Sequence, residues 1–249
     1  MRYEDKEIVS IASLIEKLDA QRKYGELLWF RGQSDFSWPV IPSIARKGKD
    51  PIGREWALHK RFRQNAGRLA SDKPATDWEW YLLMQHFGVP TRLLDWTESP
   101  LTALYFAVED QKSIKKDASV WVISPTAFNE ILGFAASVRN DLPCIGLDTE
   151  LDGYRIDQVR KSKTTLSPIA AIAPRQSARM AAQHSVFVAY HGDFVPLDDM
   201  KDTSFAWKYK IPSTSKQKIL KELSALSVTR LSLFPELPNA AEFAKEILE

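Results

Sequence analysis

Within residues 80–108, between two apolar segments, His86, Thr91, Arg92, Asp95, Thr97, Glu98 and Ser99 fall inside fourteen positions. Packing alone does not call for so many ionisable and hydroxyl side chains. An imidazole has an ordinary pKa of ~6.5, so His86 can act as a general base or hold a substrate hydroxyl. The alternative is a helix-terminal histidine that satisfies the last free carbonyls. Thr97, Glu98 and Ser99 form a strand-to-helix turn, where hydroxyls and free NH groups make an anion site, although capping alone explains Ser99. Arg92 and Asp95 stand three apart on an expected strand and so project to opposite faces. Arg92 is left as a candidate ligand contact. Asp95 reads better as a structural carboxylate that accepts backbone NH groups from the following turn.

A second polar cluster, Trp29-Phe30-Arg31-Gly32-Gln33, follows the apolar pair Leu27-Leu28. Arg31 offers a planar fork of donors suited to bidentate contact with a phosphate or carboxylate, and Gly32 would let a ligand approach the backbone. The competing reading pairs Arg31 with an internal carboxylate, Asp95 or Asp35.

The elements that must position these groups follow from periodicity and punctuation. Ile8, Ile11, Leu14, Ile15 and Leu18 give one apolar helical face, with Asp5 as its cap. Residues 27–30 read as a strand, and residues 33–46, broken by Pro39 and Pro42, as an extended connection. Residues 53–69 form an amphipathic helix with a basic face, which reads first as solvated. Asp77 caps a helix over 78–87 that Gly88 and Pro90 end, so His86 sits at a helix terminus. Residues 93–96 are a strand, and Ser99-Pro100 opens a helix over 101–109. Residues 120–123 form a strand apolar on both faces. A helix is expected over 125–143, a loop over 148–165, strands over 186–190 and 205–211, a helix over 215–226, a short strand over 231–234 and a last helix over 240–248. No repeat or linker divides the chain. The expectation is a single α+β domain spanning 1–249, with a mixed or antiparallel sheet packed by helices.

Composition narrows the chemistry. The 249 residues are 44% apolar, with eight Trp and twelve Phe, ample for a buried core, and Trp29, Trp38, Trp78, Trp80, Trp96 and Trp121 read as packing rather than base-stacking groups. Lys plus Arg total 34 against 32 Asp plus Glu, so no general polyanion-binding surface is implied, although a local basic patch fits. The lone Cys144 and the scattered His59, His86, His184 and His191 do not supply a metal-ligand set, and no metal is expected. Ten glycines include no phosphate-cradling loop, and no G-x-S-x-G elbow occurs. The acidic N-terminal residues, the single cysteine and the lack of any membrane-length apolar run point to a cytoplasmic protein.

The two clusters together resemble the FRG domain family, named for its Phe-Arg-Gly core. Phe30-Arg31-Gly32-Gln33 supplies the core, Trp38-Pro39-Val40-Ile41-Pro42-Ser43 the segment after it, and residues 85–97 the longest motif. The likeness continues through Ser99-Pro100 and residues 103–107, is weaker at 179–187 and ends near 233–237. In motif order the chain is also similar to ADP-ribosyltransferases, where an Arg-Gly strand and a Ser or Thr before a helix grip NAD and a later Glu stabilises the ribosyl cation. That resemblance implies an ADP-ribosyltransferase-like fold, with Arg31 and Thr97 or Ser99 in the two gripping roles; Gly32, Gln33 and Arg92 are further candidate ligand contacts. Gln183 stands where the transferase would carry its Glu. Glu236, an exposed turn residue on the bland reading, is the other catalytic candidate beside His86. The implied function is nucleotide binding, with NAD as substrate of a transferase or glycohydrolase. The alternative is a non-catalytic module that recognises a nucleotide or nucleic acid, which a glutamine at position 183 favours.

Overall fold

The computed structural model describes residues 6–21, 23, 25–70, 73–134 and 141–248. Its strands are β1 (Lys6–Glu7), β2 (Trp29–Gln33), β3 (Leu93–Thr97), β4 (Ala118–Ile123), β5 (Ile169–Ala171), β6 (Ser185–Ala189) and β7 (Ala206–Ile211). Between them run α1 (Ile11–Gln21), α2 (Pro51–Ala66), α3 (Asp77–His86), α4 (Pro100–Val108), α5 (Pro125–Ile131), α6 (Ile156–Val159) and α7 (Ala178–Ala182). The chain ends in α8 (Lys216–Ala225), α9 (Arg230–Leu233) and α10 (Leu237–Lys245). The strands make one mixed sheet in the order β1-β7-β4-β2-β3-β6-β5, with β1 parallel to β7 and every other pair antiparallel. This is an α+β fold on a single sheet.

The pairing is uneven at the centre. β2 is in register with β4 along its whole length, and β3 likewise with β6, whereas β2 and β3 meet only at Phe30 opposite Thr97. The sheet therefore splits between β2 and β3 beyond that pair. On one face α1, α4 and α8 cover the β2 half through Ile8, Leu14, Phe30, Val122 and Ile219, and α3 with α7 covers the β3 half through Tyr81, Met84, Leu93, Met180 and Phe187. The opposite face is sealed continuously by Trp29, Leu94, Trp96, Trp121, Phe128 and Phe205.

Local chemistry explains where most elements begin. Ser99 Oγ accepts from the Thr102 amide at 3.2 Å and Pro100 occupies the first turn of α4. α4 lies against β2 backbone to backbone, because a Cβ on Gly32 would stand 1.9 Å from the Ala103 carbonyl oxygen and 2.7 Å from the Ala107 nitrogen.

Several expectations are corrected. α1 starts at Ile11, while Ile8 donates its amide to Lys210 at the edge of the sheet; Asp5 lies outside the described residues. α3 is capped by Thr76, in a capping box with Glu79, and not by Asp77. α5 ends at Ile131, and residues 135–140 lie outside those described. Residues 148–165 hold a 3-10 turn and α6. Residues 231–234 are not a strand. Thr229 and Ser232 exchange amide-to-hydroxyl bonds of 2.8 and 3.3 Å, which starts a helical turn that Pro235 cannot continue. β1, β5 and α7, five residues or fewer each, carry no sequence signal. Among the described residues no helix is long and apolar enough to cross a membrane.

Candidate functional site

The gap between β2 and β3 opens into a cleft of about 410 Å³. β2 supplies Arg31, Gly32 and Gln33, β3 supplies Asp95 and Thr97, and the turn between α7 and β6 supplies Gln183. Five of the nine sequence-selected residues thus share one concave site: Arg31, Gly32, Gln33, Thr97 and Gln183.

Arg31 spans the split. Its Nη1 donates to the main-chain carbonyl of Asp95, a bond that stands in for the missing strand ladder. Its Nε is buried and has no hydrogen-bond partner among the described residues. Burial pulls its pKa down to about 10 against the opposing attraction of Asp95, so the guanidinium remains charged at neutral pH. Neither internal salt bridge considered for Arg31 forms: it takes the carbonyl of Asp95 rather than its carboxylate, and Asp35 is bound by Lys116 at 2.6 Å.

Two more arginines line the cleft. Arg46 turns Nε and Nη2 onto the Ile41 carbonyl at 3.1 and 2.8 Å, and burial lowers its pKa. Arg179 donates Nη1 to the His86 carbonyl at 3.0 Å and lies 4.5 Å from the centre of the Phe234 ring. Asp95 is the one acidic residue in the lining. It does not accept backbone amides from the following turn as expected; both carboxylate oxygens lie 2.8 Å from Gln85 Nε2. Trp38, 39% exposed, stands at the rim.

The remaining candidates divide by geometry. Thr97 Oγ1 donates to the Gln183 carbonyl at 2.6 Å and accepts from the Ser99 amide at 3.0 Å, so it ties the split strand to the α7–β6 turn. Ser99 is a helix cap and does not line the cleft. The space beside Gly32 is filled by α4, which corrects the idea that it admits a ligand. Gln33 is held by Trp121 Nε1 at 2.9 Å and by the Pro39 carbonyl at 3.2 Å. Gln183 caps the end of α7, and its Nε2 donates to the Leu233 carbonyl at 3.0 Å.

Arg92 is far from ligand reach. It is 2% exposed and lies against the fully buried Glu55, to which it gives both Nε and its own amide. Nη1 and Nη2 go to the carbonyls of Tyr190, His191 and Tyr154, at 2.8 to 3.1 Å. Burial works against its charge, but Glu55 and Tyr81 together hold its pKa up. It is a structural cation that fastens α2, β3 and the chain after β6.

His86 and Glu236 belong together beside the cleft. Imidazole Nε2 is 3.6 Å from Glu236 Oε1, a buried oxygen with no hydrogen bond among the described residues, and Nδ1 is 3.5 Å from Ser177 Oγ. Glu236 is half-buried, not the exposed turn residue expected. Burial, then Arg179, lowers the His86 pKa against the pull of Glu236, which keeps the ring neutral at pH 7. A recess of about 40 Å³, shared by His86 with Gln85, Asp95, Arg179 and Gln183, adjoins the cleft.

Gln85, Arg46 and Arg179 are cleft residues that residue type and spacing do not single out, and Trp38 reads as a packing residue in the sequence. Three of the four carried a signal, since Trp38 and Gln85 begin motifs and Arg179 begins the weaker one. Arg46 sits unmarked at the end of an extended connection. Among the described residues no His, Cys, Asp and Glu side chains gather into a group able to hold a metal ion.

Comparison with known proteins gives one result that bears on this site. Neither characterised proteins nor solved structures yield a match. The family model of the FRG domain matches residues 26–116, which hold both strands of the split, the Gly32–α4 contact and the Arg92–Glu55 anchor. The stretch that carries both strands of the cleft is thus the part of the chain that matches the FRG domain.

Proposed function

We propose that the cleft binds a phosphate-bearing nucleotide of the NAD class and that the protein transfers or hydrolyses its ADP-ribose part. The observation that carries this reading is Arg31, a charged guanidinium in the split of the sheet whose buried Nε has no hydrogen-bond partner among the described residues, flanked by Arg46 and Arg179. Convergent arginines suit a diphosphate, because their forks pair with its oxygens in a site partly closed to water. Trp38 at the rim offers a ring face to a base.

Cleavage of the ribosyl–nicotinamide bond sends the bonding pair to the departing ring and leaves positive charge on the ribose, which water in hydrolysis, or an acceptor hydroxyl or amine in transfer, quenches by bonding to the anomeric carbon and losing a proton. A carboxylate in the cleft stabilises that charge. Asp95 lines the cleft, whereas Glu236 is turned onto His86 and Arg179, so Asp95 is the better carboxylate for this role. Gln183, with Nε2 on the Leu233 carbonyl, keeps its amide oxygen for a ribose hydroxyl.

The second reading, recognition without chemistry, is favoured by Gln183 itself, which is neutral where a transferase would carry its Glu. Incubation with NAD labelled in the adenylate half, followed by assays for free nicotinamide and for bound label, separates the two. Nicotinamide release supports the enzyme, saturable binding without release supports the module, and the absence of any saturable binding overturns both.

A further inference from the structure

On the other side of His86 lies a second and larger cavity, of about 860 Å³, between α2, α3 and α7. Phe62, Leu69, Leu82, Leu83, Phe87 and Met180 form most of its wall. Its volume is in the range of pockets that take small organic ligands. Leu69 is 84% exposed and Phe87 66%, so apolar groups stand open to water at its mouth. An exposed apolar concavity of this kind marks a binding site more often than a packing fault.

The polar groups of the lining decide what it takes. The Glu79 carboxylate is occupied in capping α3, where it accepts from the Ala75 and Thr76 amides. Ser177 Oγ accepts from the Met180 amide at 3.1 Å, and His86 faces Glu236. Lys73 lines the same cavity, is exposed, and has no ion pair or hydrogen bond among the described residues. An apolar chamber lined by one cation that is uncommitted among the described residues complements a ligand that has an aliphatic or aromatic body and one anionic end.

We infer that this cavity is a binding site for an apolar carboxylate, separate from the nucleotide cleft. α7 is the partition between the two, with Ser177 before it and Met180 turned to the apolar side and Arg179 and Gln183 to the polar one.

The test is calorimetric titration of the full chain with decanoate, decanol and decylammonium, each below its micelle concentration. Decanoate should bind saturably at one site, at least five-fold more tightly than decylammonium. Ala66→Trp fills the cavity from the end of α2 and should abolish binding; circular dichroism and the unfolding midpoint check its fold. Phe87→Ser, at a side chain already exposed, gives a second variant that should weaken binding while the protein stays folded. Lys73→Glu should reverse the preference between carboxylate and ammonium. None of the three should alter nucleotide binding in the cleft, so failure here is distinguishable from failure of the proposed function. Absence of saturable decanoate binding overturns the assignment, and so does equal binding of all three amphiphiles. Sedimentation that shows a dimer dissociated by Ala66→Trp would assign the cavity to a second copy of the chain and overturn it equally.

Discussion

Arg31 replaces a strand-to-strand hydrogen bond with a side-chain one, and the fork leaves further N–H groups to meet a ligand. Lysine at this position keeps the charge and loses the fork, so Arg31→Lys should weaken nucleotide binding by roughly 1 to 3 kcal/mol, read by equilibrium titration. A variant that binds as tightly as the parent would remove Arg31 from the ligand site. The carboxylates are told apart in the same way. Asp95→Asn should lower NAD turnover by about two orders of magnitude or more with little change in affinity, while Glu236→Gln should cost far less, because Asp95 lines the cleft and Glu236 does not. The reverse order in a nicotinamide-release assay would move the chemistry to the His86–Glu236 pair.

At the scale of elements, the α4–β2 contact sets the width of the split. Gly32 admits the α4 backbone, and a methyl group there would overlap the Ala103 carbonyl oxygen. Gly32→Ala should therefore destabilise the fold by about 1 to 3 kcal/mol or more, seen as a lower urea midpoint, since backbone rather than a flexible side chain must give way. An unchanged midpoint would mean that α4 is not packed as described. The contrast with the ligand-approach reading shows what sequence can carry. Helix starts at Ser99-Pro100 and stops at Gly88 are local chemistry and are legible from a few residues. So is the fully buried β4, from the unbroken apolar run Val120 to Ile123. What fills the space beside Gly32, where β2 and β3 part, and which strand lies next to which depend on residues far apart in the chain. The same distance hid the role of Arg92: its partner Glu55 lies 37 positions earlier, in a helix whose charged residues read as solvated. The four residues of α9 are too few to show a period, and only the Thr229–Ser232 cap marks them as helical.

For the molecule as a whole, three buried or half-buried histidines tie stability to pH. Among the described residues, His59 is 2% exposed with Nε2 unpartnered and His191 is 3% exposed with Nδ1 unpartnered, and His86 lies at the partition between the two cavities. In each, burial is the first cause of a lowered pKa, and a nearby cation adds to it: Arg63 for His59, Arg92 for His191 and Arg179 for His86. The folded state thus prefers the neutral rings, and the unfolded chain binds more protons wherever the pH lies near or below the free imidazole value of ~6.5. Their contribution is complete above that value and is lost as pH falls through it toward the folded-state pKa values. The urea midpoint should therefore decline between about pH 7 and pH 5, before the carboxylates titrate, and histidine resonances followed by NMR should show His59, His86 and His191 titrating below ~6.5 in the folded protein. A midpoint that is flat or rises across this interval would mean that the rings are charged in the folded state. The partition would then carry a positive His86 beside Arg179, which would strengthen the pull of the cleft on anions and remove His86 as a proton acceptor.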